Sequence, residues 1–306
     1  MELFEILFYK IVPLYIPVAI GFWAGKRLNV GGNGIALLMM YFFMPIIVFK
    51  GVSESSITIS LMTLPILVFI LSTIFCLTFL KIGKKTWHDS QANVLALAAG
   101  TANCGYFGLP VAIALFDEQT VGVYIVTFMG MNFFESSVGF YIVARGQHTA
   151  RDAFIKTTKL PVLYAFLLGI IFSLSNISTP PILDEFFINI RGTYIILGMM
   201  IIGLGISAMQ KFEFGIRFVS LAFLAKFILW PVVIIAITML DANFIGFFTT
   251  EMHKSLILLS IVPLAANTVA IATLLNTHPD KAATTVLLST LVALIYVPLM
   301  AMWLLS

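Results

Sequence analysis

Two stretches of this chain place small and polar residues inside otherwise apolar runs. The first is LALAAGTANCGYFGLPVAIALF, which carries Gly100, Thr101, Asn103, Cys104, Gly105, Gly108 and Pro110. The second starts at Pro263 and continues through Asn267 and Thr268. Gly and Pro weaken a helix, and a proline removes one backbone donor and clashes with the preceding turn. In lipid, freed backbone groups are tolerated only where protein or a water-filled cavity satisfies them. A helix that restarts after such a break presents free N–H groups and a partial positive charge, which suit an anion. The competing reading is a simple proline kink with small residues for close helix packing. Asn103, Cys104, Gly105, Pro110, Pro263, Asn267 and Thr268 are therefore the candidate binding residues.

Two ionisable residues also fall deep in apolar runs, Glu135 and Lys226. A charge in hydrocarbon costs at least about 2.5–3.5 kcal/mol even on the lenient insertion scale. Such residues face a cavity or a partner. Glu135 could exchange a proton or compensate charge, with Asn132, Ser136 and Ser137 beside it. Lys226 could serve an anion, snorkel, or pair with Glu135, and the pair is the expectation. The four histidines lie in loops or at span ends. The chain has no HExxH, GxSxG or GxxxxGK[ST], so neither an intramembrane enzyme nor an ATPase is expected, and no cofactor or metal. Cys76 and Cys104 have no metal-type or disulfide spacing.

These residues need elements to hold them. Of 306 residues, 60% are apolar and only 10% charged, and mean hydropathy is +1.06. A soluble domain is about a quarter charged, so a soluble fold is excluded. The net charge of +3 is too small to suggest nucleic-acid binding. Breaks at charges, Gly, Pro and Asn give ten spans, at about 6–26, 33–53, 57–81, 90–115, 119–143, 160–177, 183–208, 215–240, 252–275 and 281–305. With the N-terminus outside, twelve Lys and Arg fall in inner loops. Four (Lys10, Lys50, Arg191 and Lys254) fall in outer ones, and Lys226 stays within a span. That split follows the positive-inside rule and puts both ends outside a cell membrane. The start, MELFEILFYK, has no basic segment ahead of its apolar run, so the first helix is expected to be retained.

Ten divides into five plus five, and a second copy of an odd-numbered repeat enters the membrane upside down. The halves are 1–143 and 160–306, with a short basic loop at 144–159 between them. A faint echo supports this: Leu97-Ala98-Ala99 precedes Asn103, and Leu264-Ala265-Ala266 precedes Asn267. Interrupted spans at matching positions of two halves point to a transport site. The fold class is thus all-α and integral to the bilayer.

Four segments resemble the auxin efflux carrier family, which includes the plant PIN-FORMED transporters and bacterial homologues. PLYIPVAIGFWAGKR at 13–27 is similar to its first helix, and YFFMPIIVFKGVS at 41–53 to its second. NCGYFGLPVA at 103–112 resembles its broken fourth helix, and PLAANTVAIATLLNTHPDKAATTV at 263–286 its ninth helix and the start of its tenth. The resemblance implies a fold like that of bile-acid symporters and sodium/proton antiporters. Helices 1, 2, 6 and 7 would form a scaffold, and helices 3–5 and 8–10 a moving bundle with crossed broken helices 4 and 9. It implies efflux or uptake of a small organic anion by alternating access, with H+ or Na+ as candidate coupling ions and a homodimer through the scaffold left open. The chain departs from plant members at Val269, where they carry a second proline, and lacks their long central loop. Bacterial relatives are associated with dicarboxylates such as malonate. Two alternatives stand beside this reading. One is a cation/proton antiporter of the same architecture with Glu135 as its ion site; the other is a membrane sensor that binds a ligand without moving it.

Overall fold

The computed structural model describes residues 8–9, 11–54, 59–208 and 215–305. Lys10 and Lys211, used in the charge count, lie outside the described residues, as do the first residues of spans 1 and 3. Among the described residues there are helices and no strands. Among these residues thirteen longer helical segments follow one another: α1 (Tyr15–Leu28), α2 (Gly32–Ser53), α3 (Ile59–Thr86), α4 (Gln91–Gly100), α5 (Leu109–Leu115), α6 (Gln119–Ala144), α7 (Ala150–Thr158), α8 (Pro161–Leu174), α9 (Asp184–Ala208), α10 (Ile216–Ile245), α11 (Thr250–Ile261), α12 (Asn267–Leu274) and α13 (Pro279–Leu304); short 3-10 turns precede α1 and α9.

Seven described helical stretches are long and apolar enough to cross a bilayer, counting 91–115 as one. An eighth is the pair α7 and α8, bent by 47°. The ten-span count is met only in part. α1 has 14 residues, and α11 and α12 are separated by the non-helical residues 262–266. The stretch 144–159, expected as a loop, holds α7. Thr149 starts it by accepting the Asp152 N–H at 3.2 Å, and its hydroxyl donates to the Asp152 carboxylate at 2.6 Å.

Packing is densest between α1 and α9, α2 and α8, α3 and both α4 and α6, and α6 and α11. The α1–α9 contact brings backbones together: a Cβ on Gly203 would strike the Val18 carbonyl. Small residues permit such an approach where no hydrophobic drive separates helices from lipid. Lys50, at the end of α2, reaches Thr179 at 2.7 Å and Asp184 at 3.2 Å, and pairs with Glu54.

Proline-orphaned carbonyls find partners on other helices. Pro231 denies Phe227 its usual N–H donor. The Tyr296 hydroxyl of α13 donates to that carbonyl instead, at 2.8 Å. Among the described residues five π-helical turns interrupt the helices, at Met39–Phe43, Cys104–Gly108, Glu135–Gly139, Leu224–Leu229 and Asp241–Ile245. Cys104, Glu135 and Lys226 each sit on one. Such turns bulge the backbone and re-aim side chains, often at functional sites.

Candidate functional site

The break in the fourth span lies at residues 101–103, seven residues before Pro110. Pro110 lies six residues after Cys104, where the helix restarts, and the chain stays helical through it to Leu115. The expectation that Pro110 interrupts the helix is thus corrected: the chain turns extended at Thr101 (φ −125°, ψ 160°). Pro263 does lie in its break. The two breaks touch, with the Asn103 N–H donating to the Pro263 carbonyl at 2.8 Å. Across the same junction the Thr101 and Thr268 hydroxyls approach to 3.4 Å.

Asn103 caps the second half of its own span. Its Oδ1 accepts the Phe107 N–H at 3.2 Å, and its carbonyl accepts the Gly108 N–H at 2.9 Å. The Asn103 side chain therefore holds the turn open by satisfying an orphan donor. Gly105 and Tyr106 belong to the first turn of the restarting helix, and Asn267 opens α12; first-turn N–H groups have no acceptor within their own helix. Both restarting helices thus present amides, the arrangement that favours negative charge.

A small cavity of about 10 Å³ lies between the two restarts, room for about one water. Of the sequence candidates, Asn103, Cys104, Gly105, Asn132, Glu135 and Asn267 line it. Pro110, Pro263, Thr268 and Lys226 do not. Glu135, 2% exposed, accepts from Asn267 Nδ2 at 2.7 Å. Asn267 Oδ1 in turn accepts from the Tyr106 hydroxyl at 2.7 Å. Tyr106 packs on Tyr194 with centroids 4.5 Å apart. Gly198 makes this possible, since a Cβ there would collide with the Tyr106 ring.

Sequence reasoning missed Tyr106 and Tyr194. Tyr106 stands inside the quoted NCGYFGLP motif, and a phenol there was a readable hydrogen-bond donor. Tyr194 had no local signal; only packing brings it to the site. Gly105 and Tyr194 also line a vestibule of about 670 Å³, which Lys50, Glu54, Asp184 and Arg191 line as well. A separate cleft of about 500 Å³ around Lys84, His88 and Arg145 shares none of the site residues.

The expected Glu135–Lys226 pair does not form. Glu135 bonds Asn267, whereas the Lys226 ammonium donates to the Leu259 carbonyl at 3.1 Å and lies 5.3 Å from the Trp230 ring centre. Glu135 bonds at the start of α12, and Lys226 bonds near the end of α11.

The family model described as "Membrane transport protein" matches residues 6–154 and 148–301. A relative from Methanocaldococcus jannaschii, named an uncharacterized transporter, is 25% identical over 275 residues, covering 86% of each chain. The two matched stretches meet near the short basic segment between the halves, and together they take in both broken spans and every lining residue of the cavity. The chain therefore belongs to the membrane transport protein family, the auxin efflux carrier type, and is a multi-pass membrane transporter.

Proposed function

We propose that the protein moves a small organic anion, a carboxylate, by alternating access through a ten-span fold of two inverted five-helix repeats. The observation that carries this reading is that the first turns of two restarting helices line one shared cavity. Amides and helix starts recognise a carboxylate without a resident cation. α1, α2, α8 and α9 form the scaffold, which the close packing of α1 on α9 and of α2 on α8 supports. The remaining spans form the moving bundle, and their breaks cross where Asn103 meets Pro263. With both ends outside, the vestibule opens outward. Its inner end at Gly105 and Tyr194 adjoins a cavity too small for a substrate, so the bundle has to shift to admit one.

Glu135 shares that cavity. A second carboxylate about 4 Å away would be repelled by about 4 kcal/mol at an effective dielectric near 20. Protonation of Glu135 removes that repulsion, so the proton is the coupling ion of this reading. Uptake into proteoliposomes, with a panel of mono- and dicarboxylates and an imposed pH gradient, tests both parts. An anion that accumulates with inward proton flow is expected. Glu135→Gln keeps the acceptor for Asn267 and should flatten the pH dependence. Binding of carboxylates without any flux would favour a sensor. Cation flux without anion flux would favour the antiporter.

A further inference from the structure

The cleft of about 500 Å³ that lies apart from the junction is walled by three pieces of chain. Lys84 comes from the last turn of α3, His88 from the turn before α4, and Arg145 from the residue that follows α6. Close approaches set these walls. A Cβ on Gly83 would press on Ala92 of α4, and one on Gly146 would strike Ser90. Asn93, buried near the start of α4, donates from Nδ2 to the Ile142 carbonyl of α6 at 2.7 Å. The three pieces are thus fixed against one another where the cations meet. Their charges converge on one space instead of spreading over the surface.

The balance of charge in that space is positive. Among the described residues, no carboxylate lies within ion-pair distance of Lys84, His88 or Arg145. Arg145 uses one N–H on the His148 carbonyl at 2.8 Å, and a guanidinium has five. One carboxylate, Asp89, also lines the cleft. It is already engaged: it accepts from the Gln91 N–H at 3.1 Å and from Gln91 Nε2 at 2.8 Å, and His278 stands 3.5 Å away. A cation at a helix C-terminus can answer the partial negative charge of that end, which accounts for Lys84 or Arg145 singly. It does not account for their sharing a cavity with the start of α4. Ser90, the N-cap there, makes no side-chain cap hydrogen bond and lines the cleft too. A guanidinium fork, an ammonium and a helix start are groups that bind phosphate. The cleft also has an apolar side, to which Trp87 and Leu80 contribute. Leu80 shares a face of α3 with Leu77 and Ile74, both exposed. A basic pocket between helices with an apolar track beside it suits a lipid headgroup and its acyl chain.

We propose that this cleft is a binding site for a phosphate-bearing anion, held by Lys84, His88 and Arg145 and separate from the junction of the broken spans. It stands whether or not the transport reading does. An anionic phospholipid headgroup and a soluble phosphate compound share this chemistry, and the test tells them apart. The full chain is placed in nanodiscs of phosphatidylcholine, alone or with added phosphatidylglycerol, and its thermal unfolding is followed. In detergent, the same measurement is made with inorganic phosphate or glycerol phosphate against chloride at equal ionic strength, and retained lipid is read by native mass spectrometry. A rise in melting temperature with phosphatidylglycerol but not with the soluble phosphates assigns the site to a headgroup. A rise with the soluble phosphates in detergent assigns it to a soluble ligand. In either case Lys84→Gln with Arg145→Gln should weaken the apparent affinity by about tenfold or more, since each change removes a charged hydrogen bond. Lys81→Gln with Lys85→Gln removes the same charge from the same end of α3 without touching the cleft lining, and should keep the effect. Equal losses in the two double variants would overturn the proposal, because a diffuse basic surface would then explain the binding. So would a wild type that responds to none of these phosphates. If the first double variant does not fold, Lys84→Gln is compared with Lys85→Gln by retained anion alone, and equal retention again overturns the site.

Discussion

Asn267 is the middle of a three-residue chain, and its removal has a calculable effect. Its Oδ1 accepts from Tyr106 and its Nδ2 donates to Glu135, both at 2.7 Å. Asn267→Leu keeps most of the volume and abolishes both bonds. A neutral hydrogen bond contributes about 0.5–1.5 kcal/mol and one to a charged group about 1.5–3 kcal/mol, so the loss sums to about 2–4.5 kcal/mol. At about 2 °C per kcal/mol for a chain of this size, the melting temperature should fall by about 4–9 °C. Tyr106→Phe removes only the outer bond, for a loss of about 1 kcal/mol. Once Asn267 is gone, the Tyr106 hydroxyl has already lost the acceptor it uses there. The double variant should therefore melt with Asn267→Leu alone, giving a coupling of about 1 kcal/mol, well above the roughly 0.5 kcal/mol within which independent sites add. The assay is thermal unfolding of purified protein in nanodiscs. Strictly additive losses would refute the chain and reduce Asn267 to a packing residue. Tyr106→Phe should also weaken substrate binding, because the same hydroxyl fixes which side of the Asn267 amide faces Glu135.

Asn103→Ala removes the cap on Phe107 and should cost about 1 kcal/mol of stability along with most of the uptake, while Asn103→Asp, which keeps an acceptor, should retain the fold; a thermal unfolding comparison of the two separates capping from substrate contact. Gly203→Ala forces α1 away from α9, since its Cβ would meet the Val18 carbonyl, and should destabilise by about 1–3 kcal/mol in the same assay. At the start of α6, the Thr120 backbone N–H donates to Asp117 at 2.8 Å and holds its carboxyl below the usual carboxylate range. A depressed folded-state value means that this stabilisation is present above the ordinary carboxylate range and lost as the pH falls through the folded-state value. Asp117→Ala should therefore lower the melting temperature near neutral pH, with the gap to wild type closing in acid.

Much of this molecule is written in local composition. A chain with so few charges and such long apolar runs has to be helical and membrane-embedded, because only closed hydrogen bonding is tolerated in lipid. The same logic singled out the two breaks, since Gly, Asn and Pro in mid-span are costly unless the site uses them. It also picked out Asn103, Glu135 and Asn267, which line one cavity. What local composition could not supply was partnership. Glu135 and Lys226 are opposite charges in apolar runs, and pairing them was the natural expectation. Their true partners are a side-chain amide and a backbone carbonyl, neither of which has a charge to read in a sequence. Pro110 looked like the breaker of the fourth span, yet the break falls earlier, because the Asn103 N–H finds the Pro263 carbonyl across the junction and the helix need not continue. Tyr194 reaches the site from a helix whose sequence is unremarkable, through a packing contact that Gly198 permits. Some vacant groups, such as the Phe227 carbonyl, are decided along the chain by where a proline falls, while the break at residues 101–103 is not. Which groups fill the vacancies is decided only in three dimensions, because donors and acceptors from distant segments meet only once the helices have packed.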